Sequence, residues 1–179
     1  MFTEKNWIKY LIGWLLVLLI RLVPFRPPNV EPLMATLMPY SKKFGWLSGF
    51  IFAFLGMVLF DVVTNQVGLW TWITGGTYGI VGIGAYFYFK NRAASAKNFV
   101  VYGILGTLVF DAITGLGIGP IFYGQPFMQA FTGQIPFTLY HLAGNIVLGA
   151  IISPVLYRWV ITNEKLETVW LLRRLWGTI

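Results

Sequence analysis

The sequence predicts an all-α membrane protein: a compact bundle of six transmembrane helices, both termini cytoplasmic, with a short or kinked second helix. Three observations predict it. First, the 179 residues are 57% hydrophobic and 18% aromatic with only 11% charged, at a mean hydropathy of +0.70, more apolar surface than a water-soluble domain of this size needs. Second, several apolar runs approach the roughly 20 residues that cross about 30 Å of hydrocarbon, without the short alternating segments of a closed barrel. Third, 11 of the 13 lysines and arginines fall at alternate ends of six consecutive segments, the asymmetry that places them in the cytoplasm.

The first helix is expected over residues 7–23. It follows Lys5 and Lys9, is longer than a signal-peptide core, lacks a small-residue cleavage site, and is read as retained. Pro24 closes it, and Phe25-Arg26-Pro27-Pro28-Asn29 is a stiff loop, because adjacent prolines lack amide donors and clash with a preceding turn. Asn29 is placed to cap a second helix over 30–39, with Glu31 in its first turn complementing the dipole and Pro32 tolerated there. Ten residues do not span a bilayer, so this helix is tilted, re-entrant or kinked at Pro39 toward Lys42 and Lys43.

Helix 3 is expected over 45–64, a turn at 65–68, and helix 4 over 69–89 with Trp70 and Trp72 at its outer end. Lys90, Arg92 and Lys97 flank a polar connection. Helix 5 covers about 99–114. Residues 115–133 hold five glycines, two prolines and four Phe or Tyr residues without helical periodicity, and so read as a long functional loop. Helix 6 starts near Pro136, a favourable first position, and runs to about 160. This divides the chain into a membrane-embedded substrate-binding domain, 1–162, and a cytoplasmic amphipathic tail, 163–179, with Arg173, Arg174 and Trp176.

The composition also excludes functions. The formal charge of +7 is dispersed between apolar runs and makes no basic face with interleaved aromatics, so nucleic acid is not the partner. There is no cysteine and one histidine, His141, which leaves no thiolate chemistry and a poor nickel or cobalt site. No Walker A loop and no nucleophile at motif spacing is present, so the chain neither hydrolyses ATP nor carries a recognisable catalytic set. Neither a metal nor a cofactor is expected.

The polar residues that topology leaves unexplained gather at the outer face. Gly-Met-Val-Leu-Phe-Asp-Val-Val-Thr, ending at Thr64, returns as Gly-Thr-Leu-Val-Phe-Asp-Ala-Ile-Thr, ending at Thr114. A carboxylate at the end of an apolar helix is costly in lipid, so Asp61 and Asp111 should face protein or a water-filled cavity. Asp61 lies about 27 Å of helix beyond Lys43, and the repeat puts Asp111 at the same depth. Each aspartate alone is equally well explained by pairing with Arg21 or Arg26 or by capping a turn; the duplicated pair favours a cavity. Thr138, His141 and Asn145 share one helical face beside Gly144 and Gly149. They form either a hydrogen-bonding wall for a polar ligand or a satisfied interhelical contact. Trp70, Trp72, Phe122, Tyr123, Phe127, Phe131, Phe137 and Tyr140 form an interfacial belt or, concentrated in 115–133, a lid for a ring-containing solute, with Gln125 and Gln134 as hydrogen-bonding groups. Gly75, Gly79, Gly82, Gly103 and Gly106 permit close helix packing.

Pro27-Pro28-Asn29-Val30-Glu31-Pro32, the Gly-x-x-x-Phe-Asp elements and Gln134-Ile-Pro-Phe-Thr-Leu-Tyr-His-Leu-Ala-Gly-Asn145 occur in that order among six hydrophobic helices. Over about residues 7–159 the chain thereby resembles the membrane-embedded S components of energy-coupling factor transporters. The resemblance implies a small substrate-capturing subunit in a prokaryotic cell membrane, served by a transmembrane T subunit and two cytoplasmic ATPases, taking up vitamins, their precursors or metal ions. It implies a site near the outer face built from the first loop, the outer helix ends and a lid. The family's Ala-x-x-x-Ala docking surface on helix 1 is missing here, where Gly13 is the only small residue, which leaves a solitary importer open.

The candidate substrate-binding residues are Asn29, Glu31, Asp61, Asn65, Trp70, Trp72, Asp111, Gln125, His141 and Asn145. The acids suggest a cationic or hydroxyl-rich solute and the aromatics a ring, in a protein that is not an enzyme and whose other partners are membrane lipids. Two further readings stand beside this one: a membrane enzyme acting on a lipid or prenyl group through Asp61, Asp111 and a divalent metal, and a non-transporting scaffold.

Overall fold

A twelve-residue helix, α2 (Leu33–Phe44), occupies the middle of the molecule, and every residue from Leu33 to Ser41 is buried. The computed structural model describes residues 6–27, 29–167 and 170, and they are helical with short connections. Around α2 stand α1 (Trp7–Arg21), α3 (Trp46–Val63), α4 (Leu69–Phe89), α5 (Ala96–Asp111) and the long α7 (Phe127–Leu156). A π-helical stretch, Ala112–Ile118, and the short α6 (Gly119–Tyr123) link α5 to α7. Among the described residues, three continuous stretches are long and apolar enough to cross a membrane: Trp46–Val63, Ala96–Tyr123 and Phe127–Ile161.

The core is aromatic and sulfur-rich because α2 contributes Met34 and Met38 to a shell of rings. Tyr40 stacks on Phe52 at 4.0 Å between centroids, and Trp14 also stacks on Phe52, at 5.8 Å. The α3/α4 seam instead depends on lost side chains: a Cβ built on Gly49 or Gly82 would overlap the other's carbonyl, and one on Gly79 would meet the Phe50 ring. Small residues let two apolar helices approach where no hydrophobic driving force separates protein from lipid.

One end of the bundle is basic. Lys9, itself buried, donates to the Ile161 carbonyl at 3.1 Å and faces Glu167 at 3.8 Å. Both ends of the described chain therefore lie together. Lys42 donates to the carbonyl of Phe89, the last residue of α4, at 3.2 Å and to that of Arg92 in the following turn at 2.6 Å, placing at the helix end a cation that complements its dipole. The lysines that mark topology in the sequence thus cap helices as well.

Four local expectations are corrected. Asn29 does not cap α2: Pro32 holds that position, the first turn has no acid, and Asn29 sits in a left-handed conformation at φ 63°. Pro39 neither ends nor breaks α2, because the carbonyl its missing amide would have engaged, that of Ala35, accepts a 2.6 Å hydrogen bond from Ser153 of α7. Residues 115–133 are not a loop. Gly119 and Pro120 open α6, Gly124 ends it at φ 62°, and α7 begins at Phe127; a helix that is apolar on all sides has no polar stripe to reveal its period. Pro136 consequently lies inside a thirty-residue helix, as membrane helices tolerate. In the tail, a 3-10 turn, Glu164–Leu166, comes after Asn163; Arg173, Arg174 and Trp176 lie outside the described residues.

Gly82→Ala should cost on the order of 1–3 kcal/mol by overpacking and lower the thermal unfolding midpoint in detergent. Gly76→Ala, whose Cβ would meet nothing within 4 Å, should leave it unchanged.

Candidate functional site

At the end of the bundle opposite Lys9 and Lys42 the helices part around a polar cavity of about 280 Å³, lined by Arg21, Arg26, Asn29, Glu31, Met57, Trp70, Thr74, Tyr78, Phe110, Thr114, Phe137 and His141. Each polar group reaches it for a local reason. Arg21 ends α1, where a cation complements the helix dipole. Its guanidinium lies 3.8 Å from the centre of the Phe60 ring, donates to Met57 Sδ at 2.8 Å and stands 3.5 Å from Glu31. Asn29, at positive φ, turns the connection so that Arg26 bonds back to the Val30 carbonyl and Glu31 enters the interior just ahead of α2.

Glu31 accepts the hydroxyl proton of Tyr78. The same hydroxyl lies 3.2 Å from His141 Nε2, and His141 Nδ1 lies 2.8 Å from Asp111 Oδ1. The imidazole is held between ring edges, with Phe110 at 5.7 Å and Phe137 at 5.9 Å. Glu31, Tyr78, His141 and Asp111 therefore form one hydrogen-bonded row across α4, α5 and α7, with the last three fully buried. A second, largely apolar cavity of about 340 Å³ begins on the far side of Asp111, between α5, the π-helical stretch and α7, and includes Gln134 and Thr138.

Of the sequence-derived candidates, the structure gathers Asn29, Glu31, Trp70 and His141 in one lining, with Asp111 directly behind His141. Asn145 is one turn deeper, and its Nδ2 donates to Thr107 at 2.7 Å, an interhelical bond. Asp61, Asn65, Trp72 and Gln125 lie outside that lining. Asp61 is half-buried near the end of α3, Asn65 and Trp72 are exposed, and Gln125 sits exposed beyond α6. The repeat does reproduce its backbone chemistry, since Thr64 bonds back to the Phe60 carbonyl at 2.9 Å and Thr114 to that of Phe110 at 2.8 Å. It does not reproduce the environment of the aspartates. Among the described residues neither aspartate pairs with an arginine, because Arg21 faces Glu31 instead.

Sequence reasoning missed Tyr78. Its signal was a hydroxyl in a glycine-rich apolar stretch, where burial demands a partner. Arg21 and Arg26 were visible only as exceptions to the charge pattern. Four buried side-chain atoms among the described residues have no hydrogen-bond partner: Arg21 Nε, Arg26 Nε, Asp111 Oδ2 and Asn145 Oδ1. The first two belong to groups that line the polar cavity, which therefore presents N–H donors with no acceptor of their own.

His141→Leu should cost roughly 3–5 kcal/mol, since it strands the buried Asp111 carboxylate. Adding Asp111→Leu should recover much of that loss, because an apolar pair replaces a buried polar one at little net cost. Denaturant titration in detergent micelles reads both.

Curated relatives resemble the chain over most of its length. The UPF0397 protein of Vibrio atlanticus (strain LGP32) is 30% identical over 153 residues, 79% of either chain. The UPF0397 protein of Aliivibrio fischeri (strain MJ11) is 30% identical over 154 residues, 80% of either chain. The UPF0397 protein YdcD of Lactococcus lactis subsp. lactis (strain IL1403) is 29% identical over 136 residues, 70% of either chain. No family profile and no solved structure matches.

Proposed function

The chain belongs to the UPF0397 family, and from that premise we propose that it is a membrane-embedded substrate-capture subunit for uptake of a small water-soluble micronutrient. The vitamin-precursor and nucleobase-like classes fit best. The observation that carries the reading is the polar cavity enclosed among apolar helices at the end opposite the basic connections. Charged groups are kept inside a membrane protein at a cost of several kcal/mol each, and such groups mark solute paths. By the positive-inside rule the cavity faces outward and the termini face the cytoplasm, in the cell membrane of a bacterium.

Two arginines and one carboxylate line the cavity itself, which turns the solute preference away from the cation that the aspartates alone suggested. The partner-less Arg21 and Arg26 nitrogens favour a solute with carbonyl, carboxylate or phosphate oxygens. Trp70, Tyr78, Phe110 and Phe137 favour a flat ring beside them. Tyr123 of α6 meets Trp70 edge-on at 6.4 Å, so a movable cover, if the protein uses one, is the short α6 segment rather than an unstructured lid. The resemblance to S components supplies the rest of the reading: a separate T subunit and two cytoplasmic ATPases provide the energy that this chain, without a nucleotide-binding loop, does not generate itself.

The test is mass spectrometry of small molecules released when the gently purified protein is denatured. A ring compound in about equimolar amount is the expected result, because tight binding is mostly slow release. Arg26→Gln and Trp70→Ala should each reduce retention at least about tenfold, the equivalent of one lost contact of about 1.4 kcal/mol, whereas Asp61→Asn should not. Phospholipid alone in every preparation would reject capture.

A further inference from the structure

The hydrogen-bonded row from Glu31 to Asp111 has a proton count that its geometry dictates. Tyr78 has one hydroxyl proton and gives it to Glu31. Its oxygen must then accept from His141 Nε2, 3.2 Å away. Nδ1, 2.8 Å from Asp111, carries a proton facing a carboxylate or receives one from a carboxylic acid. Either way, the His141 and Asp111 pair is uncharged and Glu31 is an anion. The reverse arrangement uses the same atoms: Asp111 gives up its proton to Nδ1, Nε2 gives its proton to the Tyr78 oxygen, and Tyr78 passes its own to Glu31. Three O–H or N–H bonds break and three form. The row carries one negative charge before and after, and only its position has moved, from Glu31 to Asp111.

The surroundings hold that count fixed. Arg21, 3.5 Å from Glu31, supplies the matching positive charge. Arg26 and Asn29 from the first connection, Met57 from α3, Trp70 and Thr74 from α4, Phe110 from α5, Thr114 from the π-helical stretch and Phe137 from α7 complete the lining, and of these only Arg26 is charged. Adding or removing a proton would therefore leave an unbalanced charge in the interior. The row also joins two spaces: Glu31, Tyr78 and His141 line the polar cavity, whereas Asp111 borders the second cavity with Gln134 and Thr138 and keeps Oδ2 without a partner.

We infer that Glu31, Tyr78, His141 and Asp111 form a proton relay that transfers negative charge between the two cavities. Chains of acidic residues and histidine inside membranes serve such transfer in pumps and transporters. A group that enters the polar cavity and draws Arg21 away from Glu31 makes the Glu31 anion less favourable, and so moves the charge to Asp111, beyond contact with whatever entered. The relay stands on the row alone and holds whatever solute the protein takes.

His141 is the only histidine, so nitrogen-15 NMR of the full chain labelled at histidine, in bilayer nanodiscs without added ligand, observes one imidazole. In the wild type the Nε2 signal should be averaged between its protonated and unprotonated forms. Glu31→Gln cannot accept a proton, so it should hold Nε2 fully protonated at a ring it does not touch. In a Tyr78→Phe background the same substitution should have no further effect. A wild-type Nε2 held in one protonation form, or a Glu31→Gln spectrum identical to wild type, would overturn the relay. The wild-type Nε2 signal decides even where a variant does not fold.

Discussion

Pro39 removes an amide from the middle of α2, and in an interior without water the Ala35 carbonyl has to be satisfied by another helix. Ser153 of α7 does so at 2.6 Å. An unpaired carbonyl in a dry environment costs several kcal/mol, so this bond fixes where α7 lies along α2. The remaining helices are then placed by what α2 presents. Met34 packs against Gly106 of α5, Leu33 against Gly56 of α3, and Tyr40 stacks on Phe52. A helix too short to cross the bilayer thereby becomes the axis about which the longer ones are arranged.

That central position also explains the polar cavity. Because α2 starts only at Leu33, the chain between Arg21 and Pro32 must descend from the end of α1 into the interior, and it carries Arg26, Asn29 and Glu31 with it. Had α2 spanned the bilayer, Glu31 would sit at the surface. Instead it meets Tyr78, well inside α4. The short helix supplies both the space and the charged groups that occupy it, and α4, α5 and α7 answer with a hydroxyl, a carboxylate and an imidazole in one row.

Much of this was legible because apolar length and charge alternation act at the scale of whole helices. α4 is found at residues 69–89 as expected, and α3 within one residue at either end. What failed was local. The glycines and rings of residues 115–133 hide a helix because periodicity needs contrast between faces, and a segment with apolar residues all round offers none. Prolines at 39 and 136 read as boundaries, yet in a membrane interior they require only that the released carbonyl find a partner or be tolerated. His141 lines the polar cavity, but its partners Tyr78 and Asp111 are 63 and 30 residues away in sequence. No spacing rule connects residues brought together by three separate helices.

The Phe-Asp-x-x-Thr repeat shows why a motif and a site are different things. In both copies the threonine closes the same hydrogen bond to the phenylalanine carbonyl, so the local sequence dictates the same local turn. After the first copy, α3 ends and the chain reverses at Asn65, held at φ 55°, leaving Asp61 half-buried at the edge. After the second, the helix continues as a wider π-helical turn, a form that recurs at functional sites, and α7 packs against it. Asp111 is thereby enclosed and must find a donor, which His141 provides. The chemistry of each aspartate is decided by the turn or helix that succeeds it in the chain and by which helix packs over it, and of the two it is Asp111 that the fold connects to the polar cavity.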